Sequence, residues 1–316
     1  MSRRNIYLIV KIIIGVLIIS FIFKLYKFDV EDIITAFKNA KKINLLLAGF
    51  LLIPNLLVQL FKWRFLLRTV LPEVGLSESL ISLFGGITIG LITPGRIGEV
   101  GRALFIKHAN QLKIAGLAAI DKIYGLIVIT IGGTLGILFL LISLYIKSVF
   151  LITPLVLLMG IAVILIIYIS FHPKVLQGFF YNLKAVIPYR GLLTSFLSSF
   201  DNFDKSAAKT ILGLGVILYL IVIAQFLLLA KAFENLPFLW GFSSSSVTLL
   251  AKSLLPFSFG DLGIREASSI YFFTQFGIKA MTAFNASILL FTINVLIPSI
   301  IGAFFIPKLG PVDRKI

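Results

Sequence analysis

Charged residues are concentrated in two short stretches that also contain prolines and glycines. The first stretch is TPGRIGEVGRALF, residues 93–105, and the second is LPFSFGDLGIREA, residues 255–267. Guanidinium groups offer planar, fork-shaped donors that suit a phosphate, whereas carboxylates bind cations or exchange protons. The candidate binding residues are therefore the charged ones in these stretches, namely Arg96, Glu99, Arg102, Asp261, Arg265 and Glu266.

The acids in these stretches have two interpretations. Glu99 lies three residues from both Arg96 and Arg102, close enough for ion pairs on one helical face, and such pairs would only stabilise the folded stretch. Alternatively, Glu99, Asp261 and Glu266 bind a cationic part of a ligand or a coupling proton, because ionisable groups inside a membrane are usually functional. We expect the arginines to bind phosphate.

The prolines and glycines predict helices that break at membrane depth. Both stretches contain Pro, three residues, Gly, an acid, an aliphatic residue and Gly, and matching positions are 162 residues apart, which suggests an internal duplication. Half-helices beginning after each proline would direct free N–H groups into a polar cavity. The predicted break residues are Pro94, Gly95, Gly98, Gly101, Pro256, Gly260 and Gly263.

The composition is that of an integral membrane protein. Of 316 residues, 59% are hydrophobic and 13% are charged, and the mean hydropathy is +1.07. Lys and Arg number 29 against 13 acidic residues, an excess that fits the positive-inside rule and contact with anionic lipid, so we expect no nucleic acid as a partner. The absence of cysteine excludes disulfides and cysteine-ligated metals.

Apolar stretches near 20 residues in length predict the membrane spans. Two shorter stretches, about 79–92 and 239–255, run into the broken sequences. The six full spans are about 6–23, 43–61, 117–145, 149–171, 210–233 and 281–305.

These elements predict an all-α polytopic membrane protein with two inverted repeats. Each repeat has three transmembrane helices and one broken re-entrant helical hairpin, and together they form one transmembrane domain. Repeat 1 covers about residues 1–147 and repeat 2 about residues 148–308. The distribution of Lys and Arg predicts that both termini lie in the cytoplasm.

Further charged residues lie next to these spans. Asp121 and Lys122, at the start of the third span, either face the cavity or anchor the helix at the membrane interface. Lys252 is a further candidate cavity charge. Lys62, Trp63 and Arg64 form an aromatic and basic cluster after the second span, and we predict that they anchor that span at the interface.

Two further patterns are expected to be structural. Gly86 with Gly90, and Gly132 with Gly136, form GxxxG pairs that predict close helix packing. Residues 27–42 and 174–209 predict amphipathic helices on the membrane surface, with solvated connectors as the alternative.

The motifs LITPGRIGEVGRALF and LLPFSFGDLGIREAS, with FKWRFLL and AIDKIYGL, resemble those of the flippase-like transmembrane family. That family includes the membrane region of bacterial lysylphosphatidylglycerol synthases, and the resemblance covers nearly the whole chain. It implies lipid translocation in the cell membrane of a prokaryote. In the full-length synthases a soluble aminoacyl-transferase domain follows, but this sequence ends at KLGPVDRKI, so we expect neither that domain nor synthase activity. Family members commonly carry Arg where this chain has Lys122.

We therefore expect a translocator that moves an anionic or aminoacylated phospholipid, or a polyprenyl-phosphate-linked lipid, between leaflets. Its partners would be membrane lipids, and a second copy of the chain and a separate lipid-synthesising enzyme stay open as further partners. One alternative is an ion-coupled secondary transporter of a small anionic solute with a closed cavity. Another is a membrane enzyme acting on a lipid phosphate, with Asp261 or Glu266 as general base.

Catalytic motifs are missing from the sequence. It contains no Walker A loop, HExxH or GxSxG pattern, and His108 and His172 are far apart. We therefore expect no enzymatic activity, no cofactor and no metal.

Overall fold

The computed structural model describes residues 20–26, 28–93, 95–145, 149–175, 177–178, 194, 196–201, 203–255 and 262–308. Regular structure within these ranges is helical. A 3₁₀ helix, Ile97–Phe105, separates two of the longer helices. The longer helices are α1 (Val30–Lys38), α2 (Lys42–Arg68), α3 (Leu76–Leu91), α4 (Gln111–Tyr145), α5 (Val149–Ser170), α6 (Lys205–Phe233), α7 (Phe238–Leu254), α8 (Ile264–Thr274) and α9 (Ala280–Ala303).

Five of the described helices are long and apolar enough to cross a membrane. They correspond to five of the six spans predicted from the sequence, and the remaining one, about 6–23, lies almost entirely outside the described residues. Exposed leucine and isoleucine side chains along α5, such as Leu158 and Ile164, suit contact with lipid. The five helices are Lys42–Arg68, Gln111–Leu144, Thr153–Ser170, Lys205–Phe233 and Ala280–Ala303.

The two broken stretches each connect a pair of packed helical segments. The 3₁₀ helix packs against α3, where a Cβ on Gly86 would lie 2.7 Å from Arg102 Cβ and one on Gly90 would lie 2.6 Å from Glu99 Cγ. This GxxxG pair is thus a packing site, as predicted. α7 packs against α8, and Ser244 Oγ donates a hydrogen bond to the carbonyl of Phe272 at 3.2 Å.

The last long helix in each half of the sequence packs against the helix that precedes the break in the other half. α4 packs on α7, where Ser243 Oγ donates to the Gly136 carbonyl at 2.7 Å. α9 packs on α3, where Thr88 Oγ1 donates to the Ser299 carbonyl at 2.8 Å. The two halves are therefore joined by a reciprocal exchange of contacts.

Two apolar clusters surround these junctions. One contains the buried Trp63, Tyr124 and Ile211, and the other contains Phe226 and Phe273. α1 lies within the first predicted surface helix, whereas most of the second, 174–209, lies outside the described residues.

Candidate functional site

A cavity of about 450 Å³ lies where the two broken stretches meet. Gly95 and Arg96 of the first break line it, and Lys252, Ser253 and Arg265, which flank the second break, line it as well. The wall is completed by residues of α2, α4, α6 and α9. The fold therefore places two stretches that are far apart in the sequence around one cavity.

The cavity carries an excess of positive charge. Its described lining contains six cationic side chains and two carboxylates. Such a concentration of one charge in a space with apolar walls attracts anions. The cations are Lys62, Arg96, Arg102, Lys122, Lys252 and Arg265, and the carboxylates are Glu99 and Asp121.

Asp121 joins two of these cations. Its Oδ1 lies 2.9 Å from Lys62 Nζ, and its Oδ2 accepts a hydrogen bond from Arg102 Nη1 at 3.0 Å. Arg102 also stacks over the Trp63 ring, 4.6 Å from its centroid, and its Nε donates to the Glu99 carbonyl at 3.1 Å. The guanidinium is thus held in one orientation at the cavity wall. Asp121 faces the cavity, which is one of the two alternatives predicted for it.

Glu99 makes the ion pairs that its spacing predicted. Its Oε1 lies 2.5 Å from Arg96 Nη2, and its Oε2 lies 3.8 Å from Arg102 Nη2. The turn before it has positive φ angles, 53° at Gly95 and 55° at Arg96, a conformation that an arginine adopts only when its surroundings enforce it. Lys122 Nζ supplies part of that support because it donates to the carbonyls of Gly95 and Arg96, at 2.8 and 2.9 Å.

Three of the described backbone N–H groups at the breaks donate hydrogen bonds within the protein. Those of Arg96 and Gly98 donate to the carbonyl and the side-chain hydroxyl of Thr93, at 3.2 and 2.7 Å. The N–H of Gly263 donates to Glu266 Oε2 at 2.6 Å. The prediction of N–H groups that are free for a ligand is therefore wrong for Arg96, Gly98 and Gly263, whereas residues 256–261 lie outside the described residues. The segment after the first break is a 3₁₀ helix that packs against α3.

The remaining break residues have varied surroundings. A Cβ on Gly101 would lie 3.2 Å from Ile89 Cδ1, so this glycine packs against α3. Gly263 has a φ of 86°, which favours glycine. Pro94, Pro256, Gly260 and Asp261 lie outside the described residues.

Arg265 is held at the cavity by a fully buried carboxylate. Glu266 Oε1 accepts from Arg265 Nη2 at 2.5 Å and Nε at 3.0 Å, and also from Ser287 Oγ at 3.0 Å. The guanidinium lies 4.9 Å from the centroid of the Phe291 ring. Glu266 itself does not line the cavity, so its position suits the orientation of Arg265 and not direct contact with a ligand.

Comparison with known proteins identifies the family. Residues 8–302 match the family model described as the lysylphosphatidylglycerol synthase TM region. The chain belongs to this family. No curated protein and no solved structure matches it. The resemblance based on the sequence motifs is confirmed, and the chain is a multi-pass membrane protein of a family linked to lipids.

In this member of the lysylphosphatidylglycerol synthase TM-region family, two residues predicted to anchor a span are instead part of the site. Lys62 lines the cavity, and Trp63 is fully buried with its Nε1 donating to Ser82 Oγ at 3.2 Å. The anchoring prediction is wrong for these two residues because their side chains are buried within the protein, while the half-buried Arg64 does not line the cavity. Lys252, a candidate on sequence grounds, does line the cavity.

The sequence analysis also missed a group of side-chain amides. Asn55, Gln59 and Asn294 line the cavity, and Gln225 is buried behind them. Their only sequence signal is that each is an uncharged polar residue inside an otherwise apolar span.

Proposed function

We propose that this protein moves an anionic phospholipid between leaflets, with the head group in the cavity and the acyl chains in the bilayer. The cationic lining supports this function because a phosphate can there form charge-assisted hydrogen bonds with arginine and lysine. The observation that favours a lipid over a free anion is the rim of the cavity. There Ile97 and Leu126 are 60% and 39% exposed, so apolar side chains lead from the charged space to the hydrocarbon.

The arrangement of helices supports a transporter built from two inverted repeats. Both breaks border one cavity, as in secondary transporters whose interrupted helices meet at the bilayer midplane. In this proposal the α3 hairpin re-enters from the cytoplasm and the α7–α8 hairpin re-enters from outside. Rocking of the halves about the α4–α7 and α9–α3 contacts would expose the head group to each side in turn.

A vesicle assay tests this proposal. Purified protein is reconstituted with a trace of phosphatidylglycerol that carries a fluorescent acyl chain, and dithionite reports the fraction that reaches the outer leaflet. Arg96→Gln and Arg102→Gln should each slow the exchange about tenfold or more, because each removes charge-assisted bonds worth about 1.5–3 kcal/mol. Arg68→Gln, at the exposed end of α2, is the matched control and should exchange lipid at the wild-type rate.

The same vesicles distinguish the two alternatives. Accumulation of inorganic phosphate or another soluble anion without lipid exchange would establish a solute transporter. A covalently changed lipid, detected by mass spectrometry, would establish an enzyme. Lipid exchange at the wild-type rate in both arginine variants would contradict the assigned phosphate site.

A further inference from the structure

Four side-chain amides form a connected cluster beside the cationic part of the cavity. Asn55 Nδ2 donates to Gln225 Oε1 and to Asn294 Oδ1, each at 3.3 Å, and Asn55 Oδ1 accepts from Gln59 Nε2 at 2.6 Å. Gln225 Oε1 accepts a second bond, from Asn294 Nδ2 at 2.8 Å, and Gln225 Nε2 donates to the Ala48 carbonyl at 3.1 Å. The cluster joins α2, α6 and α9.

Asn55 and Gln225 use most of their hydrogen-bonding capacity, whereas Gln59 and Asn294 do not. Asn55 donates both of its N–H groups, and Gln225 accepts two bonds. Gln59 Oε1, in contrast, has no partner among the described residues, and Gln59 and Asn294 each have one N–H left. Because Gln59 and Asn294 both line the cavity, they present it with unused neutral donors and one unused acceptor.

The backbone of α9 is distorted at the same place. Residues Thr292–Leu296 form a π-helical turn that contains Asn294. Pro298 has no N–H to offer to the carbonyl four residues earlier, which is that of Asn294. Such turns are frequent at functional sites because they redirect a side chain. Here the side chain concerned is one that lines the cavity.

The carboxylates described at or next to the cavity give no free site for a cationic group. Glu99 pairs with Arg96, Asp121 pairs with Lys62 and Arg102, and Glu266 is fully buried against its neighbouring arginine. An amine on the ligand that bound to one of these described carboxylates would have to displace a cation while surrounded by the others. The uncharged side of the cavity is therefore the better place for the part of the head group beyond the phosphate.

We propose that Gln59 and Asn294 bind an uncharged, hydroxyl-bearing group next to the phosphate. This inference rests on the proposed function, and it narrows the substrate class to phosphate lipids with a polyol or sugar head group. A hydroxyl both donates and accepts a hydrogen bond, which matches the unused groups of the two amides. Lipids whose head group ends in an ammonium are excluded from this class.

Binding selectivity of the full chain tests the proposal. Detergent-purified protein is mixed with equimolar short-chain phosphatidylglycerol, phosphatidic acid, phosphatidylethanolamine and lysyl-phosphatidylglycerol, and with a polyprenyl-phosphate hexose. Native mass spectrometry measures the lipid bound. The glycerol or the hexose lipid should bind about tenfold more tightly than phosphatidic acid, because its hydroxyl groups form hydrogen bonds with both amides that phosphatidic acid cannot form. Whichever of the two binds more tightly identifies the source of the hydroxyl groups.

Two variants connect this selectivity to the amides. Gln59→Leu and Asn294→Leu should each lower affinity for the preferred lipid about threefold, and the double variant about tenfold, to that of phosphatidic acid, while phosphatidic acid binding stays unchanged. Asn44→Leu, an amide on α2 that does not line the cavity, should retain wild-type selectivity.

Several results would overturn the proposal. Equal wild-type affinity for phosphatidylglycerol, the hexose lipid and phosphatidic acid would do so without reference to any variant, and so would tightest binding of lysyl-phosphatidylglycerol. Selective binding without exchange between leaflets would refute the proposed translocation and retain the amide subsite. Exchange without head-group selectivity would retain translocation and refute the subsite.

Discussion

At the scale of single residues, the site depends on cations that are held in place by buried or half-buried acidic partners. Arg265 and Glu266 are the most enclosed pair, with side chains 3% and 0% exposed. A buried pair adds little net stability compared with apolar residues, but removing one member leaves the other charge without compensation. We therefore interpret Glu266 as the residue that positions Arg265 at the cavity.

The first prediction concerns that carboxylate. Glu266→Ala should lower the free energy of unfolding by about 3–5 kcal/mol, because Arg265 and the Gly263 N–H both lose their acceptor. Thermal unfolding in detergent measures the loss. Glu73→Ala, an exposed glutamate, is the control and should stay within about 0.5 kcal/mol of wild type. Equal unfolding temperatures for the two variants would contradict the positioning role.

The site residues that could be predicted from the sequence are those in an unusual local context. Arg96, Glu99 and Lys252 stand out because charge beside a helix break needs an explanation. Lys62 was misassigned because a basic residue after an apolar run is the ordinary sign of a membrane interface. In the structure α2 continues past Lys62, and its side chain lines the cavity. Gln225 and the other amides form no local motif, since their partners come from distant helices.

At the scale of elements, the first hairpin consists of α3 and the 3₁₀ helix. It depends on glycines that let the 3₁₀ helix lie directly on α3. A Cβ on Gly98 would lie 2.6 Å from both the Ile89 carbonyl oxygen and Thr93 Oγ1, so backbone would have to move. The same hairpin carries Arg96 and Arg102 into the cavity. Its packing therefore controls the geometry of the phosphate site.

The second prediction follows from that packing. Gly98→Ala should destabilise the protein by about 1–3 kcal/mol through overpacking and should slow lipid exchange as well, since the arginines move with the backbone. Gly49→Ala is the matched control, because a Cβ there meets nothing within 4 Å and alanine favours a helix by about 0.5–1 kcal/mol. Unfolding and exchange are measured on the same preparations. Wild-type stability and exchange in Gly98→Ala would show that the hairpin tolerates a wider separation.

The 3₁₀ geometry of this hairpin could not have been predicted from the break motif. Proline and glycine indicate where a helix stops, but the conformation that follows depends on tertiary contacts. Here Thr93 binds the Gly98 N–H and Lys122 binds the turn carbonyls, and the latter comes from a different helix. The spans themselves were predictable because long apolar runs have few alternatives to a membrane helix.

At the scale of the whole molecule, each half contributes its last long helix to the hairpin of the other half. In each case a hydroxyl on the helix before the break donates to a backbone carbonyl of that last helix, Ser243 to Gly136 and Thr88 to Ser299. If the halves arose by duplication with an odd number of spans, one hairpin should open to each side of the membrane. The reciprocal packing would then allow both openings to lead to one cavity.

The last prediction tests that arrangement, and the cysteine-free sequence permits it without prior mutation. In sealed vesicles, a membrane-impermeant maleimide should label Ile92→Cys from the cytoplasmic side and Leu255→Cys from the outer side, because these exposed residues adjoin the two breaks. Leu158→Cys, exposed on the lipid-facing α5, should resist labelling from both sides and controls for leaky vesicles. Labelling of both break positions from one side would refute the inverted repeat. A translocator would then need to carry the head group past a cavity with a single entrance, which the symmetric exchange of helices gives no reason to expect.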